Sequence, residues 1–491
     1  MIDFILNDQE IRTSQSPGTT VLDFVRYHKN LKGTKIGCRE GDCGACTLLV
    51  GELAGDSVKY RTMTSCLMPL ANASGKHIVT IEGINPPNRG LTPVQEAMVD
   101  ESGTQCGFCT VGFVMSLTGF CIDETPKTPD LAISSVDGNI CRCTGYKSIK
   151  RAVCRLSDLA ANHDEGGGSL DGAISSNIIP DYFTAIPQRL QTLRPTKPMR
   201  SSTNLFVGGG TDVYVQKPEV MGEADGEHLF YDAELRGIRE NGEMVEIGAS
   251  ATVTDLMVSP VMQAIFPDLY KHFKLVSSTP IRNMATLAGN FINASPIGDM
   301  TVWFLALNAK VEFTRYDSGE SRNLPLKDLY LGYKQLARSE DEYIRSVRFR
   351  KPSGDFRFNF EKVSKRTYLD ISTVNTAISL NVRSAPAPTW RPPPLDPQLP
   401  AQSAGVQTHY SIVEAHVAAG GVAPIPLYLK ETSDFLSGKE VNGETLRQAF
   451  ELIQAEISPI SDVRGTEAYK RLLLRQLFTA HFFELFGLKC R

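Results

Sequence analysis

Cys38, Cys43 and Cys46 stand at C-x4-C-x2-C spacing in "GCREGDCGAC", and Cys66 follows after a strand-like stretch. This is the ligand spacing of a plant-type [2Fe–2S] centre, in which several thiolates converge on one small cluster from a tight loop. Gly37, Gly41 and Gly44 are expected to let the backbone turn left-handed and aim N–H groups at sulfur, where they tune a reduction potential. A structural zinc site is the rival reading. Zinc usually takes two compact pairs of ligands, and three cysteines in one loop with a distant fourth fit that poorly.

A second set follows. Cys106 and Cys109 form C-x2-C in "TQCGFCTVGF", and Cys141 and Cys143 form C-x-C in "GNICRCTGY". A C-x-C pair is unusual for zinc but can hold one iron of a [2Fe–2S] cluster. Three cysteines remain. Cys121 and Cys154 fall on apolar helical stretches and read as buried small hydrophobes; Cys490 is next to last.

Positioning these thiols takes a hairpin and several helices. "MIDFILNDQEIRT" reads as two strands turning at Asn7–Asp8, and "TTVLDFVRYH" as a helix. Thr92-Pro93-Val94-Gln95 is a capping box with proline at the first helical position. Another helix starts at Thr128. Ile149, Val153, Leu156 and Ala160 make one apolar stripe. About four short helices result, with cysteines at their ends.

The bulk numbers set limits. At 491 residues the chain has room for about three domains. A net charge of −4 argues against a general nucleic-acid binder. The start of the chain lacks a signal-peptide pattern, and no apolar run approaches a membrane span, so the chain reads as cytosolic and membrane-free. Ten of eleven cysteines lie in the first 154 residues, so a cysteine-rich module precedes a cysteine-poor one.

Past a Gly/Ser/Asp-rich linker at about 162–178, "NLFVGGGTDVYVQK" is a strand, a glycine run and a further element. Gly208, Gly209 and Gly210 would bring backbone N–H groups to a pyrophosphate, with Thr211 as a hydroxyl donor; a plain tight turn is the alternative. "TPIRNMATLAGNFINASPIGDM", Thr279 to Met300, joins small residues, amides and one acid without an amphipathic period, as ligand-contacting loops do. "RSAPAPTWRPPPLDPQLPAQSAG" reads as a proline-rich surface insertion, and "GTEAYKRLLLRQLFTAHFFELF" as a final apolar helix, mainly core.

"GCREGDCGAC", "QCGFCT" and "ICRCTGY", in that order, resemble the iron–sulfur region of the molybdenum hydroxylases, the xanthine dehydrogenase and aldehyde oxidase family; Val111 stands where proline is usual. The resemblance runs through nearly the whole chain. It implies an α+β multidomain fold: a β-grasp plant-type [2Fe–2S] ferredoxin domain (1–84), a four-helix-bundle [2Fe–2S] domain (85–161), the linker (162–178), a two-part α/β FAD-binding domain (179–355) and a C-terminal α+β flavoprotein subdomain (356–491) with the insertion at 384–409. It implies flavin contacts at Val207, Gly208, Gly209, Gly210, Thr211, Asp212, Thr286, Gly289, Asn290, Ile292, Asp299, Ile344 and Lys362. For three of these a plainer reading stands beside it: a helix cap for Asp299, core packing for Ile344 and a solvated lysine for Lys362. Gln105 and Cys143 would approach the pterin of a partner chain's molybdenum cofactor.

The family's large molybdenum-binding region is absent from the sequence, and no residue suggests itself as a catalytic base. The resemblance therefore implies the iron–sulfur/FAD subunit of a xanthine dehydrogenase (EC 1.17.1.4), with two [2Fe–2S] clusters and FAD. It would relay electrons from a large molybdopterin-binding subunit to NAD+, in an assembly of two copies of each chain. No G-x-G-x-x-G fingerprint is present, so NAD+ would dock against the flavin. Dioxygen as acceptor, an aldehyde or N-heterocycle as substrate, and a general electron carrier remain open on the sequence.

Overall fold

The computed structural model describes residues 1–85, 90–162, 170–193, 204–386 and 408–488. The strands Ile2–Leu6 and Gln9–Thr13 pair antiparallel and turn at Asn7–Asp8. Asn7 takes a φ of 54°, a left-handed conformation that asparagine tolerates well. These strands join His77–Val79, Thr47–Ala54 and Ser57–Thr64 in one five-stranded sheet, with Ile2–Leu6 and His77–Val79 parallel. Thr20 caps the helix Val21–Asp23, which runs into a wider helical turn at Phe24–His28.

Successive side chains on a strand point to opposite faces, and this sheet is apolar on both. Phe4, Leu6, Leu48 and Val50 enter one core, whereas Ile5, Leu49 and Val79 enter another. The second core is made with the helices Pro93–Asp100, Thr110–Ile122, Pro129–Ser135 and Lys147–Asn162. The Thr92–Gln95 capping box and the Thr128 cap both form. Ile149, Val153, Leu156 and Ala160 are buried as a stripe.

The expected linker differs from the structure. Residues 163–169 lie outside the described residues, but Leu170–Ser175 is a helix with Ala173 buried. The next stretch, expected to open the flavin domain at 179, packs backward instead. Ile179, Phe183, Ile186 and Leu190 join the helical-domain core, and Phe183 lies against Tyr60 and His77. The cause is an apolar face on Asp181–Thr192 that the exposed edge of that core can cover.

The flavin-domain segment has a five-stranded antiparallel sheet, ordered Ser321–Pro325, Lys310–Arg315, Glu342–Arg350, Met244–Gly248 and Ile238–Asn241. A separate parallel pair, Phe206–Val207 with Glu227–His228, carries the glycine run. Thr279–Met300, read from sequence as a loop, is instead a chain of short helices: Thr279–Arg282, Leu287–Asn293 and the start of Asp299–Leu305. Thr286 caps the second by accepting from the Gly289 N–H, and Ala294, left-handed at φ 50°, ends it. Such turns are too short to show a helical period.

The last sheet pairs Asp355–Val363, Val374–Pro386, Thr408–Gly420 and Leu427–Tyr428, backed by the helices Lys430–Leu436, Gly443–Glu456 and Glu467–Phe486. The final helix buries Leu474, Phe478 and Phe482 but leaves Leu472 and Phe483 about half exposed, so only one face is core. Of the proline-rich insertion, residues 387–407 lie outside the described residues; Pro386 pairs with Thr408 on the strands that flank it. Cys490 also lies outside them. Among the described residues no helix is long and apolar enough to cross a membrane.

Candidate functional site

The cysteine loops bring their sulfurs together in twos. Cys38 pairs with Cys43 and Cys46 with Cys66 by sulfur–sulfur contact. Cys106 and Cys143 approach to 3.7 Å, and Cys109 pairs with Cys141. Among the described residues no three or more His, Cys, Asp or Glu side chains converge on a point that would hold a single ion. Two pairs per site suit a two-iron cluster, each iron taking two thiolates.

Backbone and hydroxyl donors surround these sulfurs. The Cys38 N–H donates to Cys43 Sγ at 3.4 Å, the Glu40 N–H to Cys38 Sγ at 3.3 Å, and Thr144 Oγ1 to Cys141 Sγ at 3.2 Å. The Cys43 thiol donates to Cys38 and holds it down to about 5 against the opposing effect of burial, while Cys43 itself is raised. Burial, then Cys141, pushes Cys109 up to about 12. Cys141 is lowered, burial being outweighed by Thr144, so in both pairs one thiol is shifted toward the thiolate, the form that binds metal.

Gly41 and Gly44 take the expected left-handed conformation, at φ 79° and 67°. Gly37 does not. It is glycine for space, since a Cβ there would lie 2.5 Å from Cys43 Sγ. Arg39 is left-handed instead, at φ 57°, with its guanidinium on Asp23 at 2.6 Å. Cys121 is buried and Cys154 half-buried. Gln105, Cys106 and Cys143 are exposed.

The glycine run borders a cavity of about 350 Å³ lined by Val207, Gly208, Gly209, Gly210, Thr211, Asp212, Thr286, Gly289, Ile292 and Ile344. A larger cavity, about 1060 Å³, shares Thr211, Asp212, Gln216, Asn293 and Lys334 with it and is lined by Asn290 as well. The glycines have no room for a side chain. A Cβ on Gly208 would meet Thr286 Oγ1 at 2.7 Å, one on Gly209 the Met284 carbonyl at 1.8 Å, and one on Gly210 the Leu67 carbonyl at 2.5 Å. The loop is thus wedged between the flavin-domain helices and the residue after Cys66, and Asn72 donates to the Gly208 carbonyl across the same seam.

Asp299 and Lys362 line neither cavity. They form a buried ion pair at 2.7 Å. Lys362 also donates to the Leu275 carbonyl, and Ser372 and Asn375 donate to the other Asp299 oxygen. Asp299 does not cap its helix by a side-chain bond. Asn290 accepts from the N–H and hydroxyl of Thr301.

Of the cluster where the cavities join, Asp212 is expected from the sequence and Gln216, Asn293 and Lys334 are not. Asn293 donates to Asp212 at 2.6 Å and accepts from Gln216 and Lys334 at 2.8 Å each. Burial pushes the Asp212 carboxyl up and the Lys334 amine down, although Lys334 and Gln216 themselves reach the surface. Asn293 lay inside the quoted Thr279–Met300 stretch and was within reach of sequence reading; Lys334, held left-handed at φ 57°, carried no such signal.

Four domain families match in order. Residues 4–71 match a 2Fe-2S iron-sulfur cluster binding domain and 80–154 a [2Fe-2S] binding domain. Residues 188–352 match the FAD binding domain in molybdopterin dehydrogenase, and 360–485 the CO dehydrogenase flavoprotein C-terminal domain. Among whole proteins the chain is similar to xanthine dehydrogenase 1 of Arabidopsis thaliana, 27 % identical over 94 % of this chain and 38 % of that one. It is also similar to xanthine dehydrogenase of Emericella nidulans, 28 % identical over 89 % and 35 %. It therefore spans less than two fifths of the length of these relatives. A solved carbon monoxide dehydrogenase from Hydrogenophaga pseudoflava is 24 % identical over 57 % of this chain and 89 % of its own, with a TM-score of 0.47. Two paired-thiol sites and a glycine-walled cavity thus lie on four domains that match, in this order, the iron–sulfur and flavoprotein portion of the molybdenum hydroxylases.

Proposed function

We propose that this chain is the electron-relay subunit of a xanthine dehydrogenase that converts hypoxanthine and xanthine to urate. Its electrons come from a molybdopterin-binding partner and leave to NAD+. Cys38, Cys43, Cys46 and Cys66 hold one [2Fe–2S] cluster, Cys106, Cys109, Cys141 and Cys143 the other, and the two joined cavities hold FAD. When bound, the clusters supply single-electron steps and the flavin couples them to a two-electron hydride acceptor.

The observation that carries this reading is the continuity of the three sites. The Ile140 N–H, one residue before Cys141, donates to the Cys43 carbonyl at 3.1 Å. Leu67, one residue after Cys66, backs directly onto Gly210 at the cavity wall. Glu40 and Asp42, on the first cysteine loop, line the larger cavity. The chain thus keeps a short path of its own backbone from the exposed Cys106 and Cys143 to the flavin cavity. Its N–H and O–H groups aim at sulfur and favour the reduced, more negative cluster. Gln105, exposed beside Cys106, would meet the partner's pterin, and the same proposal places two copies of each chain in the assembly.

Iron, acid-labile sulfide and flavin analysis of the purified chain, with low-temperature EPR, should give two distinct [2Fe–2S] signals and one flavin. Co-expression should recover a large molybdopterin protein and xanthine-dependent NADH formation. Zinc in place of iron removes the relay. Turnover of an aldehyde or N-heterocycle but not xanthine would keep the relay and change the substrate, and oxygen consumption without NADH would change the acceptor.

A further inference from the structure

Five consecutive residues, Asp137 to Cys141, touch all three modules in turn. Asp137 binds the flavin domain. Its Oδ2 accepts from Arg282 Nη2 at 2.7 Å and its Oδ1 from the Thr279 N–H at 2.7 Å. Both side chains of this ion pair are less than a tenth exposed. Arg282 also donates to the Val276 and Ser277 carbonyls, and Val276 and Ser277 line the larger cavity. Gly138 is pressed so close to Pro280 that a Cβ would lie 2.8 Å from its ring.

The next two residues bind the first cysteine loop. Asn139 Nδ2 donates to the Gly44 carbonyl at 3.2 Å while its Oδ1 accepts from Ser116 at 2.7 Å. The Ile140 N–H donates to the Cys43 carbonyl. Cys141 is itself one of the second set of thiols.

We propose that Asp137–Cys141 is a spacer that fixes the distances among the three redox sites, with Asp137 setting cluster-to-flavin distance through Arg282 and Asn139 setting cluster-to-cluster distance through Gly44. Asp137, Asn139 and Arg282 are positioning residues. The inference rests on the proposed assignment of the cysteines and cavities to clusters and flavin. A buried arginine that loses its carboxylate cannot stay where it is without cost, so its strand of contacts shifts as a unit. The two contacts are made by different residues to different modules, Asp137 to Arg282 and Asn139 to Gly44, so their effects separate.

The test uses the full chain loaded with clusters and flavin. Iron, sulfide and flavin content are measured first, so that failure of the cofactor assignment is read separately from failure of the spacer. Two EPR quantities then report distance: the spin–spin splitting between the two reduced clusters, and the microwave power that saturates the flavin signal when the clusters are reduced. Asp137→Asn should lower the saturating power and leave the cluster–cluster splitting unchanged. Asn139→Ala should change the splitting and leave the flavin saturation unchanged. Thr279→Ala, which removes one Arg282 contact and one bond to the Ser134 carbonyl, should shift the flavin saturation in the same direction as Asp137→Asn but less. Fully loaded variants with wild-type values of both quantities overturn the proposal. So does loss of clusters or flavin from all three, because the pentapeptide would then hold the fold and not the spacing.

Discussion

The two four-thiol sites use the same ligands and differ in where they face. At the first, Cys46 and Cys66 are 3 % and 4 % exposed, inside a core that the ferredoxin-like sheet shares with Val207, Tyr214 and Met284 of the flavin domain. Its other pair, Cys38 and Cys43, is half-buried beside Glu40 and Asp42 at the larger cavity. At the second, Cys141 sits in the helical core, while Cys106 and Cys143 are exposed beside the exposed Phe108, Ile140 and Tyr146. Each site therefore has one pair rooted in a core and one turned outward, the first toward a cavity and the second toward solvent. Pair geometry is set locally by tight loops and helix ends. Direction is set by which domain covers the loop, and that gives the chain a solvent end and a cavity end.

The contrast is broken most severely by removing one ligand from each site. Cys46→Ser should lose half of the iron and also destabilise the chain by on the order of 4 kcal/mol, since a metal ligand and a core residue go together. Cys106→Ser should lose the other half of the iron with little change in the denaturant midpoint. Equal losses of stability in the two variants would mean that burial does not distinguish the sites. With all ligands intact, an iron chelator should strip the second site's EPR signal before the first's, and the reverse order would contradict the same point.

A smaller break lies between the sites. Gly44 is left-handed, and a Cβ there would lie 2.4 Å from the Gly138 carbonyl. Gly107 is also left-handed, at φ 81°, but has nothing within 4 Å of a Cβ. Alanine costs roughly 1–2 kcal/mol at either for its backbone. At Gly44 an overpacking cost of about 1–3 kcal/mol is added. Chemical denaturation of Gly44→Ala and Gly107→Ala should therefore differ by the second amount alone.

The cysteine spacings were legible because ligand geometry forces close spacing in sequence: four-residue and two-residue gaps can be read without any tertiary knowledge. So were the Thr92–Gln95 capping box and the Asn7–Asp8 turn, each settled by residues within one turn of chain. What stayed hidden depends on distant partners. Gly37 reads as a flexible residue and is in fact making room for a sulfur. Asp299 and Lys362 each read as single residues near a ligand, and only their packing shows that they hold one another. Arg282 and Asp137 are 145 positions apart, and neither has a local pattern. The segment after the linker reads as the start of the next domain because nothing in 179–190 says that its apolar face turns back.

The smallest effect concerns the seams that bind the two cluster modules to the flavin domain. The second module is held by the sequestered Asp137–Arg282 pair, whereas the first is held at a wetter seam by Arg61–Asp255 at 2.6 Å and by Glu52 between Lys76 and Arg236. Burial pushes the Asp255 carboxyl up, but Arg61 and the Thr252 N–H outweigh it and hold the group below its ordinary value. Glu52 is likewise lowered, burial being outweighed by Lys76 and Arg236. A carboxyl depressed in the folded state stabilises fully above the ordinary carboxylate range of about 4, and loses that contribution as pH falls through its folded value. Wild type should therefore exceed Arg61→Gln in thermal midpoint by a constant small margin at neutral pH, and the margin should close as pH falls below about 4. With both side chains more than a fifth exposed, solvent screening keeps the margin below about 1 kcal/mol. A margin that stays constant down to pH 2 would show that Arg61 holds the seam through its stem packing and not through its charge, and would leave the Asp137–Arg282 seam as the one of the two held by charge.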